Sequence, residues 1–126
     1  MKFMFTIYHD EAVLDAMPDE ERQALVDSAI EYAEELRRTG HYIASDALQR
    51  TPTARTIRVQ GAKVSTAVGA FAETKEQLGG FFLIEAKDIG EASAIAARFP
   101  PARVAVLEVR PVQPLKHSRD QRGLPS

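Results

Sequence analysis

Phe3, Phe5 and Ile7 alternate with Met4, Thr6 and Tyr8 at the start of the chain. A period of two with apolar groups on both sides predicts a short strand at the centre of a sheet. The period changes after Met17-Pro18-Asp19-Glu20-Glu21, where a proline and three acids form a helix start. Proline tolerates the missing amide partner there, and the acids favour the positive helix end. Leu25, Val26, Ala29, Ile30, Ala33 and Leu36 then make the buried stripe of a helix reaching about Thr39. Gly40 can adopt the left-handed conformation that ends it.

A short strand is predicted at Tyr42-Ile43-Ala44, and Pro52 punctuates the loop that follows. Arg55–Gln60 and Lys63–Val68 read as a hairpin turning at Gly61-Ala62, and a strongly apolar strand runs from about Phe81 to Ala86. Asp88 with Glu91 predicts a helix cap, and Ala92, Ile95, Ala96 and Phe99 share one face before Pro100-Pro101. Val104–Val109 supplies the last strand. This order predicts an α+β fold: a ferredoxin-like antiparallel sheet with its helices on one face, elaborated by the middle hairpin. Two helices cover one sheet face only. Phe82 and Ile84 alternate with Phe81 and Leu83, so both faces are apolar and a homodimer is expected to cover the second.

At 126 residues the chain suits one domain, expected over residues 1–112 with a flexible, weakly basic tail at 113–126. The absence of cysteine excludes disulfides, thiolate catalysis and cysteine-ligated metals. His9, His41 and His117 lack ligand spacing, so no metal site is expected, and no motif implies a cofactor. The chain has neither a signal-peptide core nor a membrane span, and it reads as a soluble cytoplasmic protein. A net charge of −2, with bases interleaved among acids, disfavours direct nucleic-acid binding.

The segment from Gly69 through Glu73-Thr74-Lys75-Glu76-Gln77 to Gly79-Gly80 runs a charged loop through paired glycines into an apolar strand. It resembles the signature of the YCII-related family, in its DGPF branch, which carries Asp-Gly-Pro-Phe, a Glu-Thr-Lys-Glu stretch and Gly-Gly. Val68 stands at the signature Asp and Ala70 at the Pro. The likeness spans roughly residues 1 to 112, including Tyr8-His9-Asp10-Glu11 and Glu108-Val109-Arg110-Pro111-Val112. It implies a dimeric α+β barrel in which two sheets meet face to face and leave clefts near their rims. It also implies, as a partner, an extracytoplasmic-function sigma factor beside which such proteins occur.

The first functional reading is a small organic ligand held in a dimer-associated cleft, with Tyr8, Arg58, Phe71, Glu73, Lys75, Glu76 and Arg110 as binding residues. The second is an accessory regulator of a sigma factor. The third is a cofactor-independent acid-base enzyme using His9, His41, Asp46 or Glu73. Valine neither exchanges a proton nor accepts a hydrogen bond, so a reaction that needs the signature Asp is expected to be absent unless Glu73, Asp46 or another carboxylate takes over.

Overall fold

The computed structural model describes residues 1–121, leaving 122–126 of the expected tail outside the described residues. Its elements are β1 (Lys2–His9), α1 (Glu11–Ala16), α2 (Asp19–Arg38), β2 (Tyr42–Ala47), β3 (Arg55–Gln60), β4 (Lys63–Val68), β5 (Gln77–Glu85), α3 (Ile89–Ala97), β6 (Val106–Pro111) and α4 (Ser118–Gln121). Short 3-10 turns occupy Thr51–Thr53 and Pro100–Val104. Among the described residues no helix is long and apolar enough to cross a membrane.

Four strands form one sheet in the order β2-β5-β1-β6, every neighbour antiparallel. This is the ferredoxin-like arrangement, with β3 and β4 inserted as a separate two-stranded sheet. Register sets the faces. Phe3 lies opposite Ile84 and Phe5 opposite Phe82, and all four side chains are buried in the core with Tyr32, Leu36, Ile95 and Phe99. The Phe5 and Phe82 rings stack at 4.9 Å, and Phe99 meets Phe82 edge-on at 5.2 Å. Met4 opposite Leu83 and Thr6 opposite Phe81 point to the other face and remain partly exposed.

The expected stripe of α2 needs one correction. Val26 and Ile30 are 48% and 54% exposed, whereas Tyr32 is buried and its hydroxyl donates to the Ile95 carbonyl at 2.6 Å. At 100° per residue, Leu25, Ala29, Tyr32, Ala33 and Leu36 cluster around one direction, which leaves Val26 and Ile30 on its flank. Gly40 does end α2, at φ +80°, and Gly61 turns the hairpin at φ +59°.

Helix α1 was not expected. Its six residues bury only Leu14, too little for a periodic signal, and it is set by Asp10, whose carboxylate accepts from the Ala12 amide at 3.0 Å. Strand β2 runs three residues beyond the predicted Ala44, and β5 begins at Gln77. The last strand starts at Val106, because the 3-10 turn after Pro100 takes up Val104. At α3 the predicted cap is present: Asp88 accepts from the Glu91 amide at 2.8 Å, and Glu91 from the Lys87 amide at 3.0 Å.

Candidate functional site

The exposed flank of α2 and the adjacent edge of the sheet enclose a cleft of about 580 Å³. Its walls are mainly apolar, with Ile7, Val26, Ile30, Leu48, Phe82 and Phe99 among them. The charged residues that join them are Arg22, Arg37, Arg50 and Asp46, beside the imidazole of His9.

His9 is the last residue of β1 and continues the inward row of Phe3, Phe5 and Ile7. The ladder between β1 and β5 slips here: Ile7 faces Gly80 and Tyr8 faces Leu78, leaving Gly79 as the extra residue of a bulge. The missing side chain of Gly79 admits the ring. A Cβ at that position would lie 1.9 Å from His9 Cε1, so His9 rests directly on the β5 backbone. Gly80 is equally constrained, since its Cβ would come within 2.9 Å of the Asp46 carbonyl oxygen.

Burial holds the His9 pKa below its ordinary 6.5, and the Arg50 charge lowers it further, while Glu11 opposes both. The imidazole is therefore neutral near pH 7 and can accept a proton or a hydrogen bond.

The rim is tied together by polar contacts. Glu11 accepts from the Thr51 amide at 3.0 Å and from the Thr51 hydroxyl at 2.7 Å, joining α1 to the turn at Thr51–Thr53. Arg50 Nε lies 3.2 Å from Asp15 Oδ1. Arg22 donates to the Leu14 and Met17 carbonyls at 3.0 and 3.1 Å and pairs with Asp19. The Arg37 guanidinium lies 4.3 Å over the Tyr42 ring, whose hydroxyl meets Ser45 Oγ at 2.9 Å.

Of the other expected site residues Asp46 also borders this cleft, and the rest are dispersed. His41 sits at a shallow polar hollow beside α3, 2.8 Å from Thr39 Oγ1 and 3.6 Å from Glu91 Oε1. Asp46 is five residues further along extended chain, on the order of 15 Å away, so the two form no dyad. The Asp46 side chain shares the outward row of Phe81, and its carbonyl faces Gly80. Tyr8 points outward in the row of Leu78 and Val106, and Arg110 pairs with Glu108 at 2.9 Å on the same face.

Glu73, Lys75 and Glu76 are exposed in the loop before β5 and do not line the cleft. Gln77 folds that loop by donating to the Ala72 and Thr74 carbonyls at 2.7 and 2.8 Å. Phe71 is exposed there beneath the Arg58 guanidinium, 5.0 Å from its ring centre. Among the described residues no three His, Asp or Glu side chains gather as a metal-binding set.

Sequence reasoning missed Arg22, Arg37 and Arg50, which carry no local motif. It did carry one pointer: Gly79-Gly80 signals a close backbone approach, and the approaching group is His9.

The chain matches the family model described as the YCII-related domain over residues 1–116. An uncharacterized protein of Rhizobium meliloti (strain 1021) is 31% identical over 114 residues, which cover 89% of this chain and 92% of that protein. A solved structure, the 5-chloro-2-hydroxyhydroquinone dehydrochlorinase of Burkholderia phenoliruptrix AC1100 in complex with 2,5-dihydroxybenzoquinone, is similar at a TM-score of 0.49 and 15% identity, over 95% of this chain and 98% of that one. With the family model matched along nearly its whole length, this chain belongs to the YCII-related family.

Proposed function

We propose that the protein binds a small organic anion in the cleft between α2 and the sheet. The observation that carries this reading is the lining: apolar walls reaching inward to Phe82 and Phe99, with three arginines against one acidic residue, Asp46, whose side chain lies in the outward row of Phe81, and a neutral His9 beside them. An apolar ligand body fills such a space, and its acidic oxygens turn toward Arg37 and Arg50. His9 accepts a hydrogen bond from a protonated ligand oxygen.

Native mass spectrometry of the purified chain, followed by thermal shifts with small carboxylic and phenolic acids, tests the reading. A ligand at a hundredfold its Kd adds about 2.7 kcal/mol of stability. Ile30→Asp and Arg37→Ala should each reduce that gain. Equal shifts in the parent and both variants place the ligand elsewhere and refute it.

Proton transfer on the bound ligand is the second reading, favoured by the lowered His9 pKa. Turnover lost in His9→Gln with ligand binding retained supports it; undiminished turnover removes His9.

The proposal also includes a second copy of the chain. Phe81, Leu83 and Met4 stand on a sheet face opposite to the one packed by α2 and α3, and they stay partly exposed. Face-to-face association buries them.

A further inference from the structure

The hairpin of β3 and β4 stands in solvent: apart from Thr56, every residue of both strands is exposed. A hairpin detached from a larger sheet is marginally stable in water. Register gives this one two unlike faces. Arg55, Ile57 and Val59 lie opposite Val68, Thr66 and Val64, while Thr56, Arg58 and Gln60 lie opposite Ala67, Ser65 and Lys63. Ile57, Val59, Val64 and Val68 are between 63% and 72% exposed, so the first face is an uncovered apolar stripe. The hairpin also carries Arg55, Arg58 and Lys63 and no acidic residue.

One surface of the same chain has the complementary make-up. Helix α2 holds seven acidic residues against three arginines. Two of these arginines, Arg22 and Arg37, line the cleft, where Arg22 is paired with Asp19 and Arg37 lies over the Tyr42 ring. The flank exposes Val26 and Ile30 at the cleft edge. Asp27 and Glu34 are the helical neighbours of Ile30, three and four residues away. The outer sheet face is a poorer match for a cationic hairpin, because its Glu108 is already paired with Arg110.

We infer that the β3–β4 hairpin is an arm that lies across the α2 flank of a second copy and covers that copy's cleft. A two-fold axis makes the exchange reciprocal, so each cleft is completed by its partner. Six-residue strands span about 20 Å, and the turn from Val26 to Ile30 only about 6 Å, so one arm covers the edge with length to spare. One apolar hairpin face is small beside the roughly 800 Å² per partner of a stable interface. Two exchanged arms double it, which a partner taking a single arm does not. Arg55, on the apolar face, then meets the acids beside Ile30. The inference rests on the proposed function only in treating this flank as the edge of the ligand cleft.

The chain contains no cysteine, so introduced thiols report without background. Chains carrying Ile30→Cys are co-expressed with chains carrying Val59→Cys and oxidised at micromolar concentration. Thiols held together in an assembly meet at an effective concentration of about millimolar. The mixed disulfide should therefore exceed either self-linked pair by on the order of tenfold. Raising the salt should lower its yield, because opposite charges steer the contact.

A dimer by native mass that forms no mixed disulfide overturns the inference, as does a monomer. So does a doubly substituted chain that closes its disulfide internally, which means that the arm covers its own cleft. Organic-acid binding is measured on the unsubstituted chain, so failure of the cleft reading and failure of the arm are separately visible.

Discussion

Gly79→Ala isolates the contact on which the site geometry depends. The added methyl would stand 1.9, 2.4 and 2.7 Å from Cε1, Nε2 and Nδ1 of His9, closer than packed atoms allow. Overpacking of this kind costs about 1–3 kcal/mol. Gly79 has no left-handed φ, so alanine also returns about 0.4–1 kcal/mol by restricting the unfolded chain. The net expectation is a loss of about 1–2 kcal/mol, or a fall in Tm of about 3–10 °C for a chain of this size. The assay is thermal unfolding of the parent, Gly79→Ala, His9→Ala and the double variant. If the imidazole is the obstacle, Gly79→Ala becomes neutral or stabilising once the ring is gone, and the cycle returns a coupling of about 1–3 kcal/mol, the overpacking cost itself. Gly80→Ala is the control, because it meets the Asp46 backbone oxygen at 2.9 Å and His9→Ala should not rescue it. Equal destabilisation by Gly79→Ala in both backgrounds would refute the account of how His9 is seated.

Four further outcomes follow from the same contacts. The folded-state pKa of His9 lies below 6.5 through burial and then Arg50, so the unfolded chain binds more protons just below that pH. This contribution is fully present above pH 6.5 and is lost as pH falls through the folded value; urea midpoints should drop more steeply there than in His9→Gln. Tyr32→Phe removes the 2.6 Å bond to the Ile95 carbonyl and should cost about 1–1.5 kcal/mol in the urea-unfolding free energy. Asp88→Ala deletes the cap of α3 and should cost about 1 kcal/mol by the same measurement. Glu11→Gln weakens the acceptor of two Thr51 bonds, and amide exchange at Thr51 should accelerate while that at Phe5 is unchanged.

Where residues repeat with a strong period, the fold could be read directly. Phe3, Phe5 and Ile7 mark a central strand, and Arg55–Gln60 with Lys63–Val68 mark a hairpin whose bounds agree with β3 and β4. Val26 and Ile30 were misplaced because composition alone does not say which edge of a broad apolar stripe meets the sheet. Tyr32 decides it by inserting its ring beside Phe82 and Phe99. Short, singly anchored pieces such as α1 carry almost no period. The cleft was less legible than the fold, since its lining runs from Ile7 to Ala105 and only folding brings those positions together. Arg37 and Arg50 look like any surface cations until Tyr42 and Asp15 are seen against them. The charged loop at Glu73–Glu76 is conspicuous in sequence, yet in the fold it leads up to the bulge at Gly79 rather than lining the cleft.

The position of β1 bears on synthesis. The strand leaves the ribosome before either of its ladder partners, β5, with Lys2 opposite Glu85, and β6, with Phe3 opposite Pro111. Ile7 must wait for Gly80, 73 residues on, and Phe3 for Ile84, 81 residues on, before either has a strand to pair with. At about 5–20 residues per second that interval lasts about 4–16 s. The nascent chain thus carries an unpaired apolar strand throughout that interval, and the four-stranded sheet closes only after β6 emerges.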